Sequence, residues 1–318
     1  MTATALPAPV TGTEIKERSI TASGPPRGES RAGWLFATPF LAFYIAFLIG
    51  PVLVGLVISL FNTTTVRAGV GDWVGFSNYA DVLSNRDFWA SMWHSVLFTL
   101  LTTPFLVLLP MLFAVLASRI ARNQWFFRLA FFAPYVVPSA AVCLIFAFMY
   151  TPETGLITNA FGWVGLTAPD FFGSTSGAWF AVVLLTVWWT FGFNFILYTA
   201  AIQEISEEVY EAATIDGAGP VQQIRHITIP LLRPTLGLVL ILQVLSSLKV
   251  FDQIYILLAG GPNYTTRPVI QYIFDTGFSA YRGGYAAAAT MVYFVILVAV
   301  SVAWLLLRKR RNTDPANA

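Results

Sequence analysis

Long apolar runs alternate with short charged segments along the chain, and the charges mark where each run stops. Residues 32–66, 88–118, 129–152 and 171–203 contain no Asp, Glu, Lys or Arg. Residues 234–259 are apolar apart from polar positions that include Lys249 and Asp252, and 283–307 are again free of charge. A helix needs about 20 residues to cross the hydrocarbon core of a bilayer. Each run therefore holds one crossing, near 34–60, 91–117, 129–152, 178–201, 234–259 and 283–307. Inside lipid the backbone has no water to bond, which restricts crossings to helices or closed barrels. A barrel strand alternates apolar and polar residues, and these runs do not. The pattern predicts an all-α integral membrane protein with six transmembrane helices. Pro51, Pro104, Pro110 and Pro138 fall inside runs, where neighbouring helices can satisfy the carbonyls they free.

Composition sharpens the picture. Hydrophobic residues make up 57% of the 318 and charged residues 11%, with a mean hydropathy of +0.69. Soluble domains carry roughly 25% charge, so a water-soluble enzyme is excluded. Residues 1–33 read as a polar, disordered tail rich in Thr, Ser, Pro and Gly. The first apolar run is too long for the core of a cleaved leader and reads as a retained span. The membrane domain then covers 34–310, and 311–318 form a second tail. A net charge of +2 gives no reason to expect a nucleic-acid partner. Cys143 stands alone, and His94 and His226 share no metal-ligand spacing with it.

Lys and Arg set the orientation. Lys16, Arg18, Arg27, Arg31, Arg119, Arg122, Arg128, Arg225, Arg233, Arg308, Lys309, Arg310 and Arg311 fall on one side of the six spans, against Arg67, Arg86, Arg267 and Arg282 on the other. The positive-inside rule places both termini in the cytoplasm. The cytoplasmic loop 203–233 fits this least well, because it holds Glu204, Glu207, Glu208, Glu211 and Asp216 against Arg225 and Arg233.

That loop is the most informative stretch. Glu204–Asp216 predicts a short helix, with Ser206 available as a cap and Glu207 and Glu208 at the positive end of its dipole. Val209, Tyr210, Ala213 and Ile215 supply an apolar side, and Glu207, Glu208 and Glu211 the opposite one. Gly217-Ala-Gly-Pro220 stops the helix. A second short helix runs from Val221 to about Ile227, and Pro230 and Pro234 introduce the fifth span. A helix resting on the membrane surface would favour Lys and Arg over glutamates, so a docking element fits better.

Glu211-Ala212-Ala213, three residues, Gly217, nine residues and Ile227-Thr228-Ile229-Pro230 resemble the EAA motif, E-A-A-x3-G-x9-I-x-L-P, with Ile229 in place of leucine. The motif marks permease subunits of binding-protein-dependent ABC importers. The frame Tyr210-Glu-Ala-Ala-Thr-Ile-Asp-Gly-Ala218, with Phe251-Asp252 and Gly260-Gly261-Pro262, is similar to the sugar-importing branch related to maltose and glycerol-3-phosphate permeases. The resemblance covers about 34–310. It implies a type I importer permease fold in which the loop docks in a groove of a separate ATPase and couples nucleotide closure to the spans. Glu207, Glu208, Glu211, Ala212, Ala213, Asp216, Gly217 and Pro230 would carry that coupling. The implied partners are a second homologous permease, two ATPase subunits, an extracytoplasmic solute-binding protein, a sugar or polyol and the lipid membrane. No cofactor is expected on this chain. Its lysines are Lys16, Lys249 and Lys309, none after a glycine, so it has no phosphate-cradling loop, and ATP and Mg would sit on the partner ATPase.

For the translocation path, sugars call for aromatic faces beside groups that both donate and accept. Trp188, Trp189, Phe191 and Asn194 offer these on the fourth span, and Gln243, Ser246 and Ser247 on the fifth, with Asn194 and Ser247 the leading choices. Aromatic belts and interhelical hydrogen bonds explain the same residues without a substrate. Lys249 and Asp252, three apart, share a helical face and can pair. His94 reads as a buried hydrogen bonder rather than a proton carrier. Tyr150, the loop 151–177 and Gly260-Gly261-Pro262 are expected to face a solute-binding protein. The rival readings are a self-sufficient ion-coupled secondary transporter using Lys249, Asp252 and His94, and a membrane enzyme. The chain offers no nucleophile or metal motif for the latter.

Overall fold

The computed structural model describes residues 27–64, 66, 69–119 and 124–312. Most of the expected tails, 1–26 and 313–318, lies outside the described residues. Among the described residues all regular structure is helical, apart from an isolated bridge between Phe61 and Trp73.

The chain divides into a unit ending at Leu53 and a unit from Val54 onward. In the first, α1 (Arg27–Tyr44) begins inside the expected tail and passes through a π-helical turn, Ile45–Ile49, into α2 (Gly50–Ile58), of which the residues from Val54 on belong to the second unit. The second unit continues with α3 (Ser77–Ser84), α4 (Arg86–Ser118), α5 (Gln124–Val136), α6 (Ser139–Met149), α7 (Leu156–Trp163) and α8 (Thr175–Gln203). Then come α9 (Glu207–Ile215), α10 (Pro220–Gln223), a π-helical turn (Ile224–Thr228), α11 (Ile229–Leu231), α12 (Arg233–Leu248), α13 (Asp252–Leu258), α14 (Val269–Phe274), a π-helical turn (Asp275–Ser279) and α15 (Gly283–Asn312).

Residues 34–58, α4, α8 and α15 up to Leu306 are each long and apolar enough to cross a bilayer. The pairs α5 plus α6 and 220–231 plus α12 qualify only when joined across bends of 93° and 58°. With each bent pair taken as one span there are six among the described residues, as expected in number, but the fifth lies at 220–248 in place of 234–259. Polar caps explain two of the starts. Asn85 accepts from the N–H groups of Asp87 and Phe88 at the head of α4, and Ser174 from that of Gly177 at the head of α8.

The inner core lies where α4, α5, α8 and α12 meet. Val107, Ala114, Val115, Phe195, Tyr198, Leu232 and Val239 are buried there, with Phe131 packed against them. Gly192 lets α5 approach α8. A Cβ at this position would overlap the Phe131 carbonyl and the Phe132 Cα. Gly192→Ala is therefore expected to lower stability by about 1–3 kcal/mol through overpacking, read as a drop in the thermal unfolding midpoint of the detergent-purified protein.

Candidate functional site

The broken helices organise the interior, because each break frees a carbonyl that lipid cannot satisfy. α5 stops at the Val137-Pro138 step, and the Val137 carbonyl accepts from the Trp189 indole of α8 at 3.1 Å. α12 stops at Leu248 and does not run on to 259 as expected. Its Lys249 and Val250 N–H groups tighten to the Ser246 and Ser247 carbonyls, and Phe251 leaves helical geometry with φ −145° and ψ −65°. The Leu248 carbonyl accepts a hydrogen bond from the hydroxyl of Tyr293, buried on α15. Within α4, Pro110 has no N–H for the Leu106 carbonyl four residues before it. Asn194 Nδ2 of α8 supplies that bond at 2.7 Å. Removing the Tyr293 hydroxyl in Tyr293→Phe leaves a buried carbonyl unpaired, at a cost of about 1–3 kcal/mol. A lowered unfolding midpoint, with the chain still inserted in the membrane, is the expected result.

Asn194 also starts a longer chain of bonds. Its Nδ2 donates to Gln243 Oε1 at 3.0 Å, Gln243 Nε2 donates to Ser247 Oγ at 2.9 Å, and Ser247 Oγ meets Thr102 Oγ1 at 3.2 Å. All four residues are buried. The structure thus joins Asn194, Gln243 and Ser247 into one network across α4, α8 and α12, partnered by protein. Trp189 and Phe191 are half-buried on α8 in other clusters, Trp189 holding the α5–α6 break and Phe191 stacking near Phe195.

Ser246, adjacent in sequence to Ser247, points the other way. One side of α12 buries Val239, Gln243 and Ser247, while Leu238, Leu242 and Ser246 are exposed on the other, in line with Lys249 just past the helix end. Asp252 and Tyr255 continue this uncovered surface. Phe251, Tyr255, Phe274 and Phe278 form an aromatic group there, with adjacent ring centroids 5.0–5.4 Å apart. The expected Lys249–Asp252 pair is absent, because α12 ends at Leu248 and the two residues flank a non-helical step at Phe251 rather than sharing one helical face. Asp252 instead accepts from Ser139 Oγ of α6 at 2.8 Å.

The loop between α8 and α12 is compact. α9 is shorter than expected, since Glu204 ends α8 and Ser206 occupies the N-cap position without a side-chain bond to the helix. Tyr210 turns inward, its hydroxyl 2.9 Å from Thr228 Oγ1. Gly217 takes φ +80°, a left-handed conformation that suits glycine, and so turns the chain into α10. Pro230 lies within α11. Glu207, Glu208, Glu211, Ala212 and Asp216 are exposed, and Ala213 is half-buried. Ile215, expected on the apolar inner side, is 86% exposed, and Val221 is 77% exposed. An open cavity of about 310 Å³ is lined by Asp216, Gly217, Ala218, Gln222, Gln223, His226 and Ile227.

On the side of the spans opposite this loop, His94 Nδ1 donates to the Arg267 carbonyl at 3.1 Å; it is the expected hydrogen bonder, but half-buried rather than buried. Tyr150 departs from expectation. It is fully buried and donates to the Ala181 carbonyl at 2.8 Å, so it faces no partner. Leu156, Trp163, Val164, Leu166 and Phe172 are the exposed large apolar residues of the 151–177 loop, with Trp163, Val164 and Leu166 the most exposed. The spacing of polar residues gave no sign of the carbonyl-holding role of Trp189 or Tyr293. The prolines that free such carbonyls were visible, but not the partners.

Residues 71–312 match the family of binding-protein-dependent transport system inner membrane components. The chain belongs to this family. It is 30% identical over 258 residues to the sulfoquinovosyl glycerol transport system permease SmoG of Agrobacterium fabrum, covering 81% of this chain and 84% of that one. It is 31% identical over 284 residues to the trehalose/maltose transport system permease MalF of Thermococcus litoralis, covering 89% and 96%. The fold matches a chain of a bacterial alginate ABC transporter crystallised with an alginate pentasaccharide-bound periplasmic protein. That match has a TM-score of 0.79 at 23% identity and covers 90% of this chain and 96% of the other. The protein is thus a multi-pass permease subunit of the type I ABC importer fold.

Proposed function

We propose that this permease forms half of the translocation path of an ATP-driven importer for a sugar or related polyol, with both termini in the cytoplasm. A second homologous permease completes the path. Two ATPase subunits carry ATP and Mg²⁺, and a solute-binding protein delivers substrate from outside. The observation that carries the reading is the surface of the 203–233 loop. Exposed Ile215 and Val221 flank Ala212 and the Gly217 turn, beside Glu207, Glu208 and Glu211. Uncovered apolar residues rimmed by charge suit a protein partner rather than water. Small residues let that partner's backbone approach, and Glu211 can meet a basic or N–H donor.

The uncovered side of α12 suits the path. Ser246, Lys249 and Asp252 put polar groups at membrane depth, which is costly unless they face a cavity or a partner, and the Phe251 and Tyr255 rings lie beside them. This combination of ring faces and hydrogen-bonding groups suits a sugar. The relatives named for sulfoquinovosyl glycerol and for trehalose and maltose support that class. The exposed Trp163–Leu166 stretch and the Gly260-Gly261-Pro262 turn are the surfaces proposed to meet the solute-binding protein.

The test is a gentle detergent pull-down of the tagged chain from its own membranes, followed by ATP turnover with maltose, trehalose and lactose in the presence of the binding protein. Recovery of a P-loop ATPase and a second permease, with turnover raised by one of the sugars, is expected. A chain recovered alone and homogeneous would overturn the reading.

A further inference from the structure

One side chain fastens the end of α4 to both arms of the loop. Arg119 follows Ser118, the last residue of α4. Its Nη1 donates to Gln223 Oε1 of α10 at 3.0 Å, and its guanidinium lies over the Tyr210 ring of α9, 5.5 Å from the centroid. The two arms are also braced against each other. Gln223 Nε2 donates to Thr214 Oγ1 at 2.9 Å and to the Ala218 carbonyl at 3.3 Å, and Tyr210 bonds Thr228. Gln223 and Thr228 are buried. The loop therefore moves as one braced piece.

Ile224 of the loop also rests on the apolar cluster that contains Val115 and Ala117 of α4. Apolar contact is non-directional, so it resists compression but slides under shear. A directed hydrogen bond from a guanidinium that also lies over a ring holds in tension and shear as well. For orienting the chain in the membrane, any cation at position 119 would serve. The contacts here combine one Nη1–H donor with a guanidinium over a ring, which a lysine ammonium reproduces only in part.

We propose that Arg119 is the strut that transmits displacement of the coupling loop to α4, a positioning residue for transport. This rests on the reading of the loop as the ATPase contact. α4 is suited to receive the movement. It packs on α8 and α12, and its Thr102 bonds Ser247 in the buried network. A shift applied at Arg119 therefore reaches the helix whose other side is uncovered.

The test uses the purified importer complex in nanodiscs as wild type, Arg119→Gln and Arg119→Lys. Hydrogen–deuterium exchange is followed by mass spectrometry with and without Mg·ATP plus vanadate. Nucleotide trapping is expected to change exchange in the loop, residues 207–231, in every form, and at the inner end of α4, residues 107–118, in the wild type. In Arg119→Gln the α4 response falls several-fold while the ATPase stays bound and the loop response persists. Arg119→Lys recovers part of it, keeping the charge but not the fork. An Arg119→Gln complex with a wild-type α4 response overturns the proposal, as does a wild-type complex with no α4 response. Loss of the ATPase from Arg119→Gln alone would make Arg119 a docking residue and overturn transmission. A wild-type preparation without any ATPase would instead refute the importer reading itself.

Discussion

Glu211→Arg and Gly217→Val are each expected to abolish uptake while leaving the chain inserted in the membrane. Glu211 is exposed on α9 beside Ala212, where a partner would cover it. Truncating one member of a buried, hydrogen-bonded charge pair at an interface costs about 2–5 kcal/mol. At about 1.4 kcal/mol per decade, that lowers the docked fraction well over tenfold, and arginine adds repulsion from any basic partner group. Gly217 acts differently. Its φ of +80° costs a β-branched residue about 1–3 kcal/mol, although nothing lies within 4 Å of where a Cβ would sit. Valine therefore does not clash. It redirects the turn, and so changes the angle between α9 and α10 that the partner would read. The measurements are uptake of labelled sugar by cells, immunoblotting of the membrane fraction, and recovery of the ATPase with the tagged chain. Normal uptake by both variants would remove the docking role from this loop.

Asn194→Leu is expected to damage the assembled spans rather than sugar affinity alone. The substitution withdraws Nδ2 from the Leu106 carbonyl that Pro110 leaves unpaired, and from Gln243 Oε1. A buried polar group left without a partner costs about 1–3 kcal/mol, whereas single interhelical bonds in membranes average about 0.6 kcal/mol. Losing two acceptors' donor at once should place Asn194→Leu toward the upper figure. The thermal midpoint of the purified complex should fall clearly, with sugar KM changed little in the fraction that stays assembled. Ser246→Ala is the contrasting variant, because Ser246 is exposed. It should leave the midpoint unchanged and raise the sugar KM. A stable Asn194→Leu complex with a raised KM would return Asn194 to the substrate path.

Features that depend on neighbours along the chain were legible. Charges at the ends of apolar runs located five of the spans to within several residues, because a charge inside lipid is costly wherever the helix packs, whereas the fifth, expected at 234–259, lies at 220–248. The Glu211–Pro230 spacing identified the loop and its glycine turn. The prolines pointed to freed carbonyls within the membrane.

What the chain could not reveal was which side of each span faces protein. In a soluble helix, polar residues mark the outer side. In α8 and α12 apolar residues occur on all sides, so periodicity carries little such information, and the polar residues fit a substrate path and an internal bond equally well. Ser246 and Ser247 are neighbours with opposite surroundings, and only the packing of α12 on α4 and α8 separates them. The same holds for the break after Leu248. Val250 and Phe251 are ordinary residues for a membrane helix, and the break is accommodated because Tyr293 of α15 bonds the carbonyl released. Sequence by itself determined the crossings, the loop and the family resemblance. The tertiary structure decided which polar groups hold the helices together and which remain uncovered, because satisfying a carbonyl in lipid requires a donor from another helix.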